Sequence, residues 1–492
     1  MGAAGVLGVR PSRRTGAVWR DVTNPADLGV LEAAALLRRR ALSSVELTRA
    51  CLARVEARNG GEPTFDGASN AINAWVRLYP ELALRHAAAA DRRLARGQAP
   101  LLCGVPVGLK DLYAVRGLPL TASSRVLAGN VASASSAVWL RLRDAGMVLL
   151  GHTHTHEFGA GPTTDQVGNP WHLARSAGGS SGGSAAALAA RMVPAATGTD
   201  TGGSLRFPAA LCGLSAIKPT HGLVPTTAVI PVARSLDHGG PMGRSVADCA
   251  ALLQTMGAGA WLPRLAITAR RGRRPLEHLT VALTDRLGGL TLDPDVAEGV
   301  DAAARALRRL GATVTTRAAP AQAELGDSGY GAIFSTDLSR YHERFADRAA
   351  LYRPLTARLV ALSSGPAEIA YADALQARDR VTAAWTRWFA EQGVDVLLEP
   401  TAPMALVPRG AGYQRGYPEL AALLPFTALW DTTGFPVVAL PAGVGRRSGA
   451  PVGVSLIAPR RAEAFAIRAA VDLQARAIPA PAPPNLGARL GG

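Results

Sequence analysis

Apolar positions along this chain follow two rhythms: a three-to-four-residue spacing held over long stretches, and short continuous runs. The first marks an amphipathic helix and the second a buried strand. In Ser43–Arg58 (SSVELTRACLARVEAR) a serine cap, Glu46 at capping-box distance and helically spaced apolar residues predict a helix. The alanine-rich Leu82–Arg96 predicts another. Gly104–Leu109 (GVPVGL) reads as a short buried strand or extended segment leading straight into Lys110 and Asp111. Ser136–Ala145 and Met147–Leu150 form a helix–strand unit. Strands are predicted at Leu279–Leu283 and Ala312–Thr316, with a helix over Val296–Leu310 between them. Residues 320–392 read as mostly helical, with several Tyr and Trp. Short strands follow at Val394–Leu398, Val437–Leu440 and Val452–Ile457, before a closing helix at Ala464–Gln474.

The length of 492 residues admits two to four domains. No repeat or low-complexity linker divides the chain, and strand and helix alternate throughout. The expectation is therefore α/β, a single large domain with a mixed central β-sheet surrounded by helices. It spans 24–478, after a loose tail over 1–23 and before a Pro-rich tail over 479–492.

Composition supports a buried core: 48% of residues are hydrophobic and 18% charged. No apolar run is long enough for a membrane helix. The basic cluster Arg10, Arg13 and Arg14 follows the apolar start instead of preceding it, the reverse of a secretory signal, so a cytoplasmic location is expected. Cys51, Cys103, Cys212 and Cys249 are scattered, which fits small buried hydrophobes better than a disulfide framework or metal site. The formal charge of +16 raises the question of nucleic acid. The basic residues are spread thinly, however, and aromatic content is only 5%, so a solvated basic surface is the expected reading.

Within that basic set, lysine stands only at 110 and 218; every other cation is arginine. A guanidinium stays protonated and cannot act as a base, whereas a desolvated ammonium can lose its proton near neutrality. The two lysines therefore mark positions where arginine would not serve. Two glycine-rich serine turns accompany them. Gly178–Ser184 (GGSSGGS) has the composition of a linker but runs directly into Ala185–Ala190, and Gly202–Gly203–Ser204 follows Val193–Thr199. Neither turn has a nearby histidine in a usual arrangement, and Gly202–Gly203–Ser204 also lacks the G-x-S-x-G elbow. Lysine is the remaining base for such serines.

The stretch Gly178–Thr220 (GGSSGGSAAALAARMVPAATGTDTGGSLRFPAALCGLSAIKPT) resembles the signature of the amidase signature family, and Gly104–Ser124 resembles its lysine segment. The likeness extends from about Ser43 to Gln474 and includes PTHGLVP, SLDHGGPM, FPVVALPAG and GAPVGVSLIA. It implies Lys110 as catalytic base, Ser180 as proton bridge after a cis peptide bond, and Ser204 as nucleophile, 24 positions after Ser180. Backbone N–H groups at Thr201, Gly202 and Gly203 would form the oxyanion hole. Asp200 and Arg206 would brace the turn, and Ser181 would hydrogen-bond near Lys110. His152 stands where many members have lysine.

Three further readings complete the set. Ser215–Lys218 spells S-x-x-K, but the companion motifs of that nucleophile are missing, so Lys218 is expected to be structural. His152, His154 and His156 alternate without an acidic or cysteine partner, so no metal is expected, and no cofactor either. Phe207, Phe426 and Trp430 are candidates for an apolar pocket, with 320–392 as its variable wall. The implied activity is hydrolysis of linear amides through an acyl-enzyme. The alternatives are the glutaminase subunit of a tRNA-dependent amidotransferase, or a carbamate- or ester-cleaving member. Against the glutaminase reading, Gly222–Asp237 lacks the GRVSRYG-type sequence associated with that subunit. The expected partner is a small-molecule amide, with a homodimer as the candidate assembly and neither nucleic acid nor membrane.

Overall fold

The protein, described here from a computed structural model, is defined over residues 24–258, 272, 274–287, 289–363, 368–410 and 422–483. The tail over 1–23 and the end of the Pro-rich tail lie outside these residues. The predicted helices form where capping and periodicity place them. Ser43 accepts a hydrogen bond from the Glu46 N–H, Glu46 reciprocates, and the helix runs Ser44–Arg58. Ser136 caps Ala137–Asp144 in the same way through Trp139.

The strands in chain order are β1 (Trp75–Leu78), β2 (Pro106–Lys110), β3 (Val148–Thr153), β4 (Gly168–Asn169), β5 (His172–Ser176), β6 (Ala195–Asp200) and β7 (Ser215–Lys218). They continue as β8 (His238–Gly243), β9 (Thr280–Thr284), β10 (Thr313–Arg317), β11 (Val396–Pro400), β12 (Val437–Val444) and β13 (Pro451–Ile457). Strands β4 and β5 form a separate two-stranded sheet. The rest form one sheet in the order β1-β3-β2-β6-β8-β7-β12-β13-β11-β9-β10. Its pairing is mixed: β3–β2–β6 and β11–β9–β10 are parallel, and the centre is antiparallel. The central strands are buried along their whole length, as a sheet covered by helices on both faces requires.

Strands β7 and β8 at the centre have no period-2 pattern to announce them. Strand β8 reads HGGPMG, and its glycines serve close packing: a Cβ on Gly240 would lie 2.3 Å from the Ile217 carbonyl oxygen.

Candidate active site

Strands β2 and β6 run parallel, with Val107 opposite Ala195 and Gly108 opposite Ala196. Their C-terminal ends therefore emerge side by side, which brings Lys110 to Thr199, just before the Asp200–Ser204 turn. The GGSSGGS segment comes alongside both. It is no linker: it is buried and feeds a wholly buried helix at Gly182–Ala189. The Gly179–Ser180 peptide is cis, as the resemblance implies.

Lys110 is fully buried, and its Nζ lies 2.7 Å from Ser180 Oγ and 2.7 Å from Thr199 Oγ1. Burial pulls its pKa down to about 7, even though Asp200 and Asp237 act in the opposite direction. A neutral amine in this position can donate to Thr199 while accepting from Ser180. Ser204 lies beyond, 9% exposed and facing a cavity of about 290 Å³. Its backbone carbonyl accepts the Ser181 N–H at 3.3 Å, which joins the two serine turns.

The turn itself is held by buried ions. Arg206 donates through Nε to Asp200 Oδ2 (2.8 Å) and through Nη2 to Asp200 Oδ1 (3.0 Å) and Asp431 Oδ2 (2.7 Å). Its Nη1 reaches the Thr427 carbonyl at 3.0 Å. Burial is the largest single influence and would raise the Asp200 pKa, but the Arg206 charge and hydrogen bond, the Lys218 charge and the Gly203 N–H together outweigh it and hold the carboxyl below its usual range. Asp200 in turn accepts the N–H groups of Gly203 (2.5 Å) and Leu205 (3.2 Å). Gly203 sits at φ +126°, where a Cβ would press on Thr427, so the turn needs glycine there.

These bonds narrow the expected oxyanion hole. Gly203 lines the cavity, but its N–H is taken by Asp200. The N–H groups of Thr201 and Gly202, which also line the cavity, donate to no acceptor among the described residues. Ser181 does not reach Lys110 directly: its Oγ donates to the Thr199 carbonyl at 3.4 Å, one link away.

The pocket expectation needs correcting. Phe207 is buried in a small cluster with Leu211, Ala402, Val407 and Leu423, and Trp430 packs with Trp385 and Phe435. Phe426 is fully buried as well, and none of the three faces the cavity. All three are core, because the helices Arg206–Cys212 and Leu424–Thr432 that carry them are buried on nearly every side. The cavity wall instead uses Val232, Tyr330, Phe334, Leu355, Leu359, Leu423 and Leu424. Four of these come from the helical 320–392 region, which does supply a wall. A Cβ on Gly202 would lie 2.5 Å from the Tyr330 hydroxyl, so that oxygen stands at the turn.

The remaining lysine and the histidines are accounted for. Ser215 and Lys218 are buried in β7; Ser215 Oγ accepts from Gln474 at 3.1 Å and Lys218 Nζ donates to the Pro219 carbonyl at 3.2 Å. Only His152 lies within β3, and each histidine bonds its own partners: His152 to Tyr79 and Tyr113, His154 to Thr64 and Ser123, His156 to Thr163. Burial pushes His154 and His156 down to about 3, so both rings are neutral. No group of three or more metal-binding side chains occurs among the described residues. No described helix is long and apolar enough to cross a membrane. All four cysteines are buried thiols. Sequence reasoning missed Thr199, Asp237 and Tyr330; Asp237 lay inside the SLDHGGPM stretch, but nothing in the sequence says which turn it touches.

A family model described as amidase matches residues 46–465. A glutamyl-tRNA(Gln) amidotransferase subunit of Methylococcus capsulatus is 36% identical over 469 residues, covering 87% of this chain and 92% of that protein. Among solved structures, an amidase is 29% identical with a TM-score of 0.79, covering 92% of this chain and 100% of that one. A 6-aminohexanoate cyclic dimer hydrolase solved with its substrate is 28% identical with a TM-score of 0.81, covering 94% and 99%. The sequence relatives thus point toward the amidotransferase alternative, and these two structural neighbours toward hydrolases.

Proposed function

The chain belongs to the amidase family, and from that premise we propose that it hydrolyses a carbon–nitrogen bond through an acyl-enzyme on Ser204. The observation that carries this reading is the contact between a fully buried Lys110 Nζ and Ser180 Oγ at 2.7 Å, beside the cavity that Ser204 faces. Neutral Lys110 takes the Ser180 proton as Ser180 takes that of Ser204, and Ser204 attacks the amide carbonyl. The Thr201 and Gly202 N–H groups receive the oxyanion. One such donor is worth roughly 3–4 kcal/mol. Reversal of the relay protonates the leaving amine, and water then repeats the cycle on the ester.

The cavity supports an uncharged, apolar acyl group. Among the described residues its wall carries no charged side chain. Glutamine would bring an ammonium and a carboxylate, and burying each without a counter-charge costs several kcal/mol. The amidotransferase function is the second reading, favoured by the names of the sequence relatives. Those relatives are each one subunit of an amidotransferase, and in that reading this chain too works with partner subunits. The test is turnover by the purified chain of apolar linear amides and anilides, esters, carbamates and glutamine. We expect aliphatic or aryl amides to have the highest kcat/KM. A clear preference for glutamine, released as ammonia, would overturn the apolar reading in favour of the second.

A further inference from the structure

We propose that Asp237 is a positioning residue of this hydrolytic site, clamping the Thr201–Ser204 turn to the loop that forms one side of the cavity. The proposal rests on the reading of Ser204 as nucleophile.

Asp237 is nearly buried, and its two carboxylate oxygens are shared between two parts of the site. Oδ1 accepts the Thr201 hydroxyl at 2.6 Å, and Thr201 is the first residue of the turn. The same carboxylate accepts the N–H groups of Val232 (3.0 Å) and Ala233 (3.2 Å), and Val232 lines the cavity. The loop is fixed from its other side as well. The Ser235 N–H donates to Asp337 at 2.8 Å, and Tyr371 links Ser235 Oγ and Asp337. Thr201 thus reaches, through the Asp237 carboxylate, the 232–235 loop and the Asp337 carboxylate in turn, the wall helix Tyr330–His342 that carries Tyr330 and Phe334. Substrate contacts on that wall and the N–H groups of the turn are held in one frame, and misplacing reacting groups by about 1 Å can cost 100-fold in rate.

The carboxylate also acts on the base. Its negative charge helps to keep the Lys110 pKa from falling further. Burial raises Asp237 itself to about 6, and Asp337 adds to that. Lys110, Tyr113, Tyr330 and Asp337 are the titratable groups that feel it. Removing the charge should therefore shift the acid limb of kcat/KM to lower pH, which a purely structural role would not do.

The experiment compares Thr201→Val and Asp237→Asn with wild type in the full chain, on one reactive anilide, with folding followed by thermal melting. Thr201→Val removes only the hydroxyl link and should lower kcat about tenfold or more with KM little changed. Asp237→Asn should lower kcat at least as far and move the acid limb downward. Wild-type kcat in Thr201→Val, or an unshifted limb in Asp237→Asn, overturns the proposal. If Asp237→Asn does not fold, Thr201→Val alone decides. Turnover that survives Ser204→Ala refutes the underlying reading of the nucleophile; turnover that needs Ser204 but ignores Thr201→Val refutes only the clamp.

Discussion

Replacing Lys110 by Arg isolates the feature on which the chemistry depends. The guanidinium keeps a positive charge and N–H donors for Ser180 and Thr199, yet it cannot accept a proton. With its pKa at about 7, Lys110 is roughly 90% neutral at pH 8. A guanidinium, with a pKa above about 12, is neutral in fewer than about one molecule in 10⁴ at that pH. A general base contributes about 10²–10⁴ in rate, so kcat/KM at pH 8 should fall by that factor. The pH profile carries the same information. The base must be neutral, so wild-type kcat/KM should rise about tenfold per pH unit below 7 and level off above it. Arg is bulkier in a fully buried position, so Lys110→Met serves as a partner variant, and both are checked by thermal melting. The assay is release of the aniline from a reactive anilide, followed from pH 5 to 9. Lys110→Arg retaining more than about a tenth of wild-type kcat/KM at pH 8, or a wild-type profile flat from pH 5 to 8, would refute Lys110 as the base.

Other outcomes test other parts of the site. Ser204→Ala should abolish anilide turnover with the fold intact, and a fluorophosphonate should label Ser204 and leave Ser215, which is buried in β7, unmodified. Arg206→Met strands two buried carboxylates at a cost of about 3–5 kcal/mol; for a chain of 492 residues that lowers Tm by roughly 3–5 °C at neutral pH. Burial holds Asp431 above its unfolded value even with Arg206 present, and without Arg206 Asp200 also rises above its own. The deficit is therefore largest at neutral pH and shrinks as pH falls toward about 4, and melting scans across that range would show it. Leu359→Arg puts a charge into the apolar wall and should lower kcat/KM for an aliphatic amide about ten- to a hundredfold. Unchanged kinetics there would remove this wall from the substrate site.

Local information determined much of this protein. The capping box at Ser43 and Glu46, the Ser136 cap and the apolar runs at Val437 and Val452 act within a few residues, so these helices and strands are legible directly. The use of lysine at only two positions likewise marks Lys110 and Lys218 together. Tertiary structure decided what depends on contacts distant in sequence. The central β8 is a glycine-rich segment that becomes a strand only because β6 and β7 lie on either side of it. Phe207, Phe426 and Trp430 look like pocket residues in sequence but are core, because burial depends on where a helix is placed and not on residue type. Lys110 and Lys218 are equally buried and both fall to about 7. Desolvation could make a base of either lysine; the pairing of β2 with β6 sets Lys110 beside Thr199, the buried GGSSGGS segment brings Ser180 to it, and position therefore favours Lys110 as the proposed base.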